Sequence, residues 1–133
     1  MLDPTSSLYE RLGGYDGIAA VVDDLLPRLL DDPQLGVYWK GKCIDSLKRD
    51  RQLFVDFLSA AFGGPVIYLG RDMKTSHDGL RITESEWNRF IEHVVATLAN
   101  QAVAARETAE FLSAAAGLKA DIVAGSLASP PKP

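Results

Sequence analysis

The chain has one cysteine and two histidines among its 133 residues, and no long apolar run. A single cysteine, Cys43, excludes an internal disulfide and a zinc cluster built on thiolates. No segment approaches the roughly 20 apolar residues that span a bilayer, and the first residues lack the basic start and apolar core of a secretory signal. These shortages predict one domain in a reducing, cytoplasmic compartment, without a membrane span.

Positive charge is also in short supply. The sequence has 14 lysines and arginines against 18 acidic residues, a formal net charge of −4. Proteins that bind the phosphate backbone of nucleic acids need an excess of basic side chains, so we expect no nucleic-acid partner. The hydrophobic share of 47% and the charged share of 24% are ordinary for a globular protein.

Signals for β-strands are scarce, whereas helical signals fill the chain. The run PVIYLG, residues 65–70, is β-like, but one strand cannot form a sheet. Apolar residues instead recur at helical spacing, as in Ile18, Val21, Val22, Leu25, Leu26 and Leu29, and again in Trp87, Phe90, Ile91, Val94, Val95 and Leu98. The fold class predicted is all-α.

Helix boundaries are predicted from capping residues and helix breakers. Ser7 with Glu10, and Thr83 with Glu86, fit the capping-box pattern. Asp16 is a candidate cap for the second helix, and Pro27 predicts a kink or break within it. We expect an extension at residues 1–6, a domain over residues 7–124, and a flexible tail rich in proline and serine at residues 125–133.

The stretch YLGRDMKTSHDGLRIT, residues 68–83, contains His77. A lone histidine is commonly structural or exposed. A catalytic base would need a nucleophile, and no G-x-S-x-G elbow is present. A zinc site needs three or four ligands, and the obvious donors are His77, His93 and Cys43. Haem is the common metal site that needs one protein imidazole, so the residues alone leave a loop histidine and a haem ligand both open.

An ordered series of segments resembles the truncated haemoglobins, the two-over-two globins, and most closely their first group. The segments are LYERLGG, GIAAVVDDLLPRLLDDPQL, FLSAAFGGPVIYLGRDMKTSHDGLRIT and WNRFIEHVVATL. Together they cover roughly residues 7 to 122. The resemblance implies a sandwich of four main helices around haem b, with an extended loop on the proximal side.

The same resemblance implies roles for individual residues. His77 maps to the proximal iron ligand, and its second ring nitrogen is expected to donate to a backbone carbonyl near Met73 or Lys74. Lys74 maps to the residue that reaches a haem propionate, with Arg71 as an assistant. The positions that map to haem packing are Tyr68, Met73, Leu80, Ile82, Phe57, Phe90 and Val94, together with Trp39 on the haem face.

The distal side departs from the family pattern. Leu26 stands where the first group usually has a tyrosine, and Phe54 stands where it often has a glutamine. Both usual hydrogen-bond donors to a bound dioxygen are therefore missing. Trp39 or Tyr38 could take over as donor, since each carries one polar hydrogen. Cys43, or a lysine among Lys40, Lys42 and Lys48, could instead swing to the iron.

The function implied is a haem globin that reversibly binds dioxygen, carbon monoxide and nitric oxide at a His77-ligated iron with an unusually apolar distal pocket. Its task could be gas sensing, oxygen transport or nitric oxide removal. An alternative is a haem enzyme, such as a nitric oxide dioxygenase or a peroxidase-like catalyst; the dioxygenase would need a reductase partner. A third hypothesis is an all-α interaction module without a cofactor.

Overall fold

The computed structural model describes residues 6–70, 77, 80 and 82–124. Within these residues the chain forms five α-helices: α1 (Leu8–Arg11), α2 (Gly14–Asp31), α3 (Ile44–Ala61), α4 (Glu84–Asn100) and α5 (Ala105–Lys119). A 3₁₀ turn, Gly36–Trp39, lies between α2 and α3, and a π-helical turn, Ala120–Ala124, follows α5. The described part of the chain contains no β-strand, and the β-like residues 65–70 have irregular backbone. The all-α prediction is confirmed.

Three predictions concern residues outside this description. The predicted N-terminal extension lies there except for Ser6, and the predicted tail at residues 125–133 lies there entirely. Part of the predicted proximal loop, at residues 71–76, 78–79 and 81, also lies outside the described residues.

Helix α2 is the centre of the fold. It packs against α1, α3, α4 and the 3₁₀ turn. Its inner face buries the predicted stripe of Ile18, Val21, Val22, Leu25 and Leu29. Each such side chain contributes about 1.5–3 kcal/mol when it leaves water. The stripe meets buried side chains of the other helices: Val55, Leu58, Phe62, Val94, Leu98 and Phe111.

The predicted cap of α4 is confirmed in full, that of α1 in part, and that of α2 is not. Thr83 and Glu86 form the complete capping box of α4, as predicted. Ser7 accepts the Glu10 amide at 3.1 Å, but the Glu10 carboxylate meets the Ser7 hydroxyl instead of its backbone. The prediction of Asp16 as a cap is wrong. Gly13, with φ of 102°, turns the chain directly into α2, since glycine adopts this left-handed conformation without strain.

Of the kink or break predicted at Pro27, the break is absent, because α2 continues through Pro27 to Asp31. Pro27 faces solvent, and so does Asp23, the residue whose carbonyl Pro27 cannot bond. The lost hydrogen bond therefore falls on the wet side of the helix, and the apolar face remains continuous.

Helix α5 packs against α1 and against the end of α3. The Arg11 guanidinium contacts the Glu107 carboxylate at 2.8 Å and the Glu110 carboxylate at 2.6 Å, which joins α1 to α5. The ring of Phe62, at the end of α3, meets Phe111 of α5 edge-on at 4.9 Å. These contacts join α5 to both α1 and the end of α3, while α3 and α4 each pack against α2.

Candidate functional site

His77 is half-buried, and its carbonyl accepts the Leu80 amide at 3.2 Å. Leu80 is 42% exposed, and Ile82 is half-buried just before the cap of α4. The neighbouring candidates Arg71, Met73 and Lys74 lie outside the described residues. The structure thus places the candidate iron ligand at the end of a short segment that leads directly into α4.

The segment before His77 turns alternate side chains inward. Ile67 and Leu69 are 81% and 88% exposed, whereas Tyr68 between them is half-buried. The Tyr68 ring meets Phe57 of α3 edge-on, with centroids 5.2 Å apart. A Cβ atom on Gly70 would collide with the Tyr68 ring and hydroxyl. Glycine at this position therefore lets the Tyr68 ring fold back over the chain and onto α3.

Among the described residues, twelve partly buried hydrophobic side chains pack against the core, and five of them stand at positions that the family resemblance assigns to haem packing or to the distal side. We call these five the apolar rim: Leu26, Trp39, Phe54, Phe57 and Phe90. They come from α2, the 3₁₀ turn, α3 and α4, so four separate elements present half-covered apolar surface. Val94, also a predicted haem contact, is 1% exposed and belongs to the core itself.

The two candidate substitutes for a distal donor behave differently. The Tyr38 hydroxyl donates to Glu86 Oε1 at 2.8 Å. Burial, together with the hydrogen bond and charge of Glu86, raises the pKa of Tyr38 to about 12. Trp39 has no hydrogen-bond partner for its indole N–H among the described residues. In this structure the Tyr38 hydroxyl already donates to Glu86, and Trp39 remains the candidate donor.

The other polar residues near α3 point elsewhere. The Gln52 side chain donates to the Tyr15 hydroxyl and to Asp56. Lys42 pairs with Asp50 at 2.6 Å. Cys43 is exposed, and its sulfur lies 3.4 Å from the Ser46 hydroxyl. That hydrogen bond and those from nearby backbone lower the pKa of the Cys43 thiol.

A buried carboxylate joins the corner after α2 to helix α4. The Asp32 side chain is 1% exposed. It accepts the backbone amides of Gln34 and Leu35 at 2.8 and 3.1 Å. It also accepts Arg89 Nε at 3.0 Å and His93 Nε2 at 2.7 Å. We call Asp32, Arg89 and His93 the Asp32 cluster. It accounts for the second histidine of the chain as a structural residue.

The cluster sets the electrostatics of this corner. Burial alone would raise the pKa of Asp32, but the hydrogen bonds from His93, Arg89 and the two amides outweigh it and hold that pKa well below its usual value. The carboxylate is therefore charged throughout the neutral range. Sequence reasoning missed this residue. The available signal was the Asp-Pro pair after a helix, together with an arginine and a histidine four apart on α4.

The chemistry of these residues fits a haem. A haem needs one imidazole, and His77 is half-buried on the segment that precedes α4. A flat apolar ring system needs apolar side chains that the core leaves partly uncovered, and the apolar rim supplies them. Among the described residues, no group of three or more His, Cys, Asp or Glu side chains could hold a bare metal ion instead.

Comparison with known proteins points the same way. The profile of the bacterial-like globin family matches residues 7–124. The group 1 truncated haemoglobin GlbN of Mycolicibacterium paratuberculosis is 33% identical over 120 residues, which is 90% of this chain and 86% of that protein. The protein of the same name from a Nostoc species is 30% identical over 118 residues, covering 89% of this chain and 98% of the relative.

Solved structures share the fold. The truncated haemoglobin of Tetrahymena pyriformis in its Fe(III) form superposes with a TM-score of 0.81 at 25% identity, over 89% of this chain and 98% of that one. The 2/2 haemoglobin of a Synechococcus species gives a TM-score of 0.81 at 23% identity, over 90% and 99% of the two chains. None of the described helices here is long and apolar enough to cross a bilayer.

The Asp32 cluster makes stability depend on acid pH. Because the folded pKa of Asp32 is depressed, its stabilisation is fully present above the unfolded value of about 3.9 and is lost as the pH falls below it. We expect Asp32→Asn to unfold more easily at pH 7 and to show a shallower acid limb than wild type. Urea denaturation between pH 3 and pH 7 measures both.

Asp23→Asn is the matched control for this experiment. Asp23 pairs with Arg51 at 2.9 Å, but its side chain is 57% exposed, and such pairs contribute about 0–1 kcal/mol. Wild-type stability and an unchanged acid limb in Asp32→Asn would contradict the assignment.

Proposed function

This chain belongs to the bacterial-like globin family and is a truncated haemoglobin; on that premise we propose that it binds haem b through His77 and takes up diatomic gases beside an apolar distal surface. The observation that supports the proposal is that the chain combines a half-buried histidine, on the segment before α4, with partly buried apolar side chains contributed by four elements. When bound, a globin haem would supply an iron that can bind dioxygen, carbon monoxide or nitric oxide. The rest of the chemistry depends on the residues that surround it.

The proximal residues would hold and orient the group. In the proposal His77 binds the iron, and Tyr68, Phe57, Phe90, Leu80 and Ile82 cover the porphyrin, with Val94 beneath them. Phe57 and Tyr68 already stack edge-on at 5.2 Å, which supports their assignment to one wall. We assign the propionates to Lys74 and Arg71, and packing to Met73, from their place in the family motif.

The distal residues would exclude water more than they would donate hydrogen bonds. Leu26 and Phe54 are half-buried and pack on the core, and neither carries a donor. A neutral hydrogen bond contributes about 1 kcal/mol, and more inside a dry pocket. Without one, dioxygen is retained less well than carbon monoxide, which depends less on a polar neighbour. Trp39, whose indole N–H has no partner in the described residues, is the donor that could moderate this effect.

The alternative is a haem enzyme, a nitric oxide dioxygenase or a peroxidase-like catalyst. Dioxygenation needs firmly held dioxygen and a reductase partner, and the Leu26 and Phe54 side chains disfavour the first. We therefore rank reversible gas binding above catalysis. A cytoplasmic location, inferred from the single cysteine, completes the proposal.

The proximal assignment predicts a sharp difference between the two histidines. His77→Ala should abolish the Soret band that wild type develops with one equivalent of haemin. His93→Gln should keep it, because the glutamine amide can still donate to Asp32 from the place of His93 Nε2. Titration followed by absorption spectroscopy measures both.

Two outcomes would overturn this part of the proposal. One is a wild-type protein that folds but takes up no haem. The other is a His77→Ala variant whose Soret band and stoichiometry match those of wild type.

The distal assignment predicts that a donor can be restored. Leu26→Tyr places a hydroxyl at a half-buried position of the apolar rim. We expect dioxygen to dissociate about fivefold more slowly from it, the equivalent of about 1 kcal/mol. Leu26→Phe is the matched control, since it adds the same ring without the hydroxyl. Equal dissociation rates in the two variants, measured by stopped flow, would contradict the assignment of Leu26 to the distal side.

A further inference from the structure

A single carboxylate oxygen links the 3₁₀ turn to the start of α4. Glu86 Oε1 accepts the Tyr38 hydroxyl at 2.8 Å. The same oxygen accepts the Thr83 amide at 3.0 Å, while the Thr83 hydroxyl accepts the Glu86 amide at 3.1 Å. The capping box of α4 therefore receives an additional hydrogen bond from Tyr38, which lies 48 positions before Glu86 in sequence. We call Tyr38, Thr83 and Glu86 the Tyr38 bridge.

The bridge holds the end of the segment that carries His77. Thr83 is the first residue after that segment, and Ile82 before it is half-buried. The hydrogen bond from the Leu80 amide to the His77 carbonyl closes a turn within it. From Leu80 to Thr83 is three residues, a reach of at most about 10 Å. A fixed Thr83 therefore restricts where the turn, and with it His77, can lie.

The other end of the bridge holds the distal side. Tyr38 is adjacent to Trp39, a member of the apolar rim, in the four-residue 3₁₀ turn. This turn follows directly on the Asp32 corner, where the Gly36 amide donates to the Asp32 carbonyl at 2.7 Å. Glu86, Arg89 and His93 are spaced i, i+3 and i+7, which puts them on one face of α4. Helix α4 thus holds both ends of the turn.

We infer that Tyr38 and Glu86 are positioning residues for the proposed haem site, coupling the distal turn that bears Trp39 to the anchor of the segment that bears His77. The inference rests on the proposed function in one respect, namely that His77 binds a haem iron. The bridge itself is a feature of the folded chain. Because the pKa of Tyr38 is raised to about 12, the hydroxyl stays protonated and remains a donor at any physiological pH.

Tyr38→Phe tests the bridge, and Tyr15→Phe is its matched control. Both substitutions delete one tyrosine hydroxyl that donates to a carboxylate, since Tyr15 donates to Asp56 at 3.1 Å between α2 and α3. Amide hydrogen exchange of the apoprotein is the first measurement. In Tyr38→Phe we expect residues 77–86 to exchange roughly two- to tenfold faster, as the loss of one hydrogen bond implies. Tyr15→Phe should leave that segment unchanged.

The second measurement is made on the haem-loaded ferrous protein. Resonance Raman spectroscopy reports the iron–histidine stretching frequency, which responds to the orientation of the proximal imidazole and not to global stability. We expect Tyr38→Phe to shift or broaden this band and Tyr15→Phe to leave it as in wild type. Glu86→Gln retains an oxygen that can accept both donors, so it should stay close to wild type, whereas Glu86→Ala should resemble Tyr38→Phe.

The failures of the two proposals can be told apart. If wild type takes up no haem, the proposed function fails, while the exchange measurement still decides whether the bridge restrains residues 77–86. If Tyr38→Phe and Tyr15→Phe give the same exchange in that segment, or the same Raman band in loaded protein, the bridge is only structural and the inference is overturned.

Discussion

The buried charge of Asp32 is the constraint on which the rest of the arrangement depends. A carboxylate removed from water is costly unless hydrogen bonds replace its hydration, and here two backbone amides, an arginine and a histidine do so. Those partners come from the corner after α2 and from α4. The requirement to satisfy one charge therefore fixes the distance between the two elements, and the 3₁₀ turn is built on that fixed corner.

The apolar rim is built on the elements that the Asp32 contacts hold together. Helix α2 contributes its continuous stripe to the core and Leu26 to the apolar rim, while α4 contributes Val94 to the core and Phe90 to the rim. The rim side chains are only partly covered by protein, which is unfavourable for so much aromatic surface in water. A haem held by His77 would cover that surface. In this account the cofactor completes the core as well as performing the chemistry.

Much of the fold was predictable because its signals are local. The stripe on α2 and the capping box at Thr83 both depend on residues a few positions apart. The start of α2 was missed because Gly13 makes a side-chain cap unnecessary, and the helix does not break at Pro27, which faces solvent. The family resemblance was needed to rank His77 as a ligand, since residue chemistry alone also allowed a loop histidine.

The tertiary contacts of the site were not predictable in the same way. The Asp32–His93 pair spans 61 positions and the Tyr38–Glu86 pair spans 48, and neither leaves a periodic pattern. The sequence alone did not distinguish Tyr38 from Trp39 as a distal donor. The structure distinguishes them, because the Tyr38 hydroxyl already donates to Glu86. The departures at Leu26 and Phe54 were visible in sequence because motifs flank them, but their consequence depends on what surrounds the bound gas.

The central claim is that this globin binds gases at an iron held by His77, and that Leu26 and Phe54 on the distal side provide no hydrogen-bond donor to the bound gas. Equilibrium titration of the reduced wild-type protein with dioxygen and with carbon monoxide tests that claim most directly. The account predicts that carbon monoxide binds much more tightly than dioxygen. Dioxygen bound as tightly as carbon monoxide would contradict it, because that result requires a strong distal donor that Leu26 and Phe54 cannot supply.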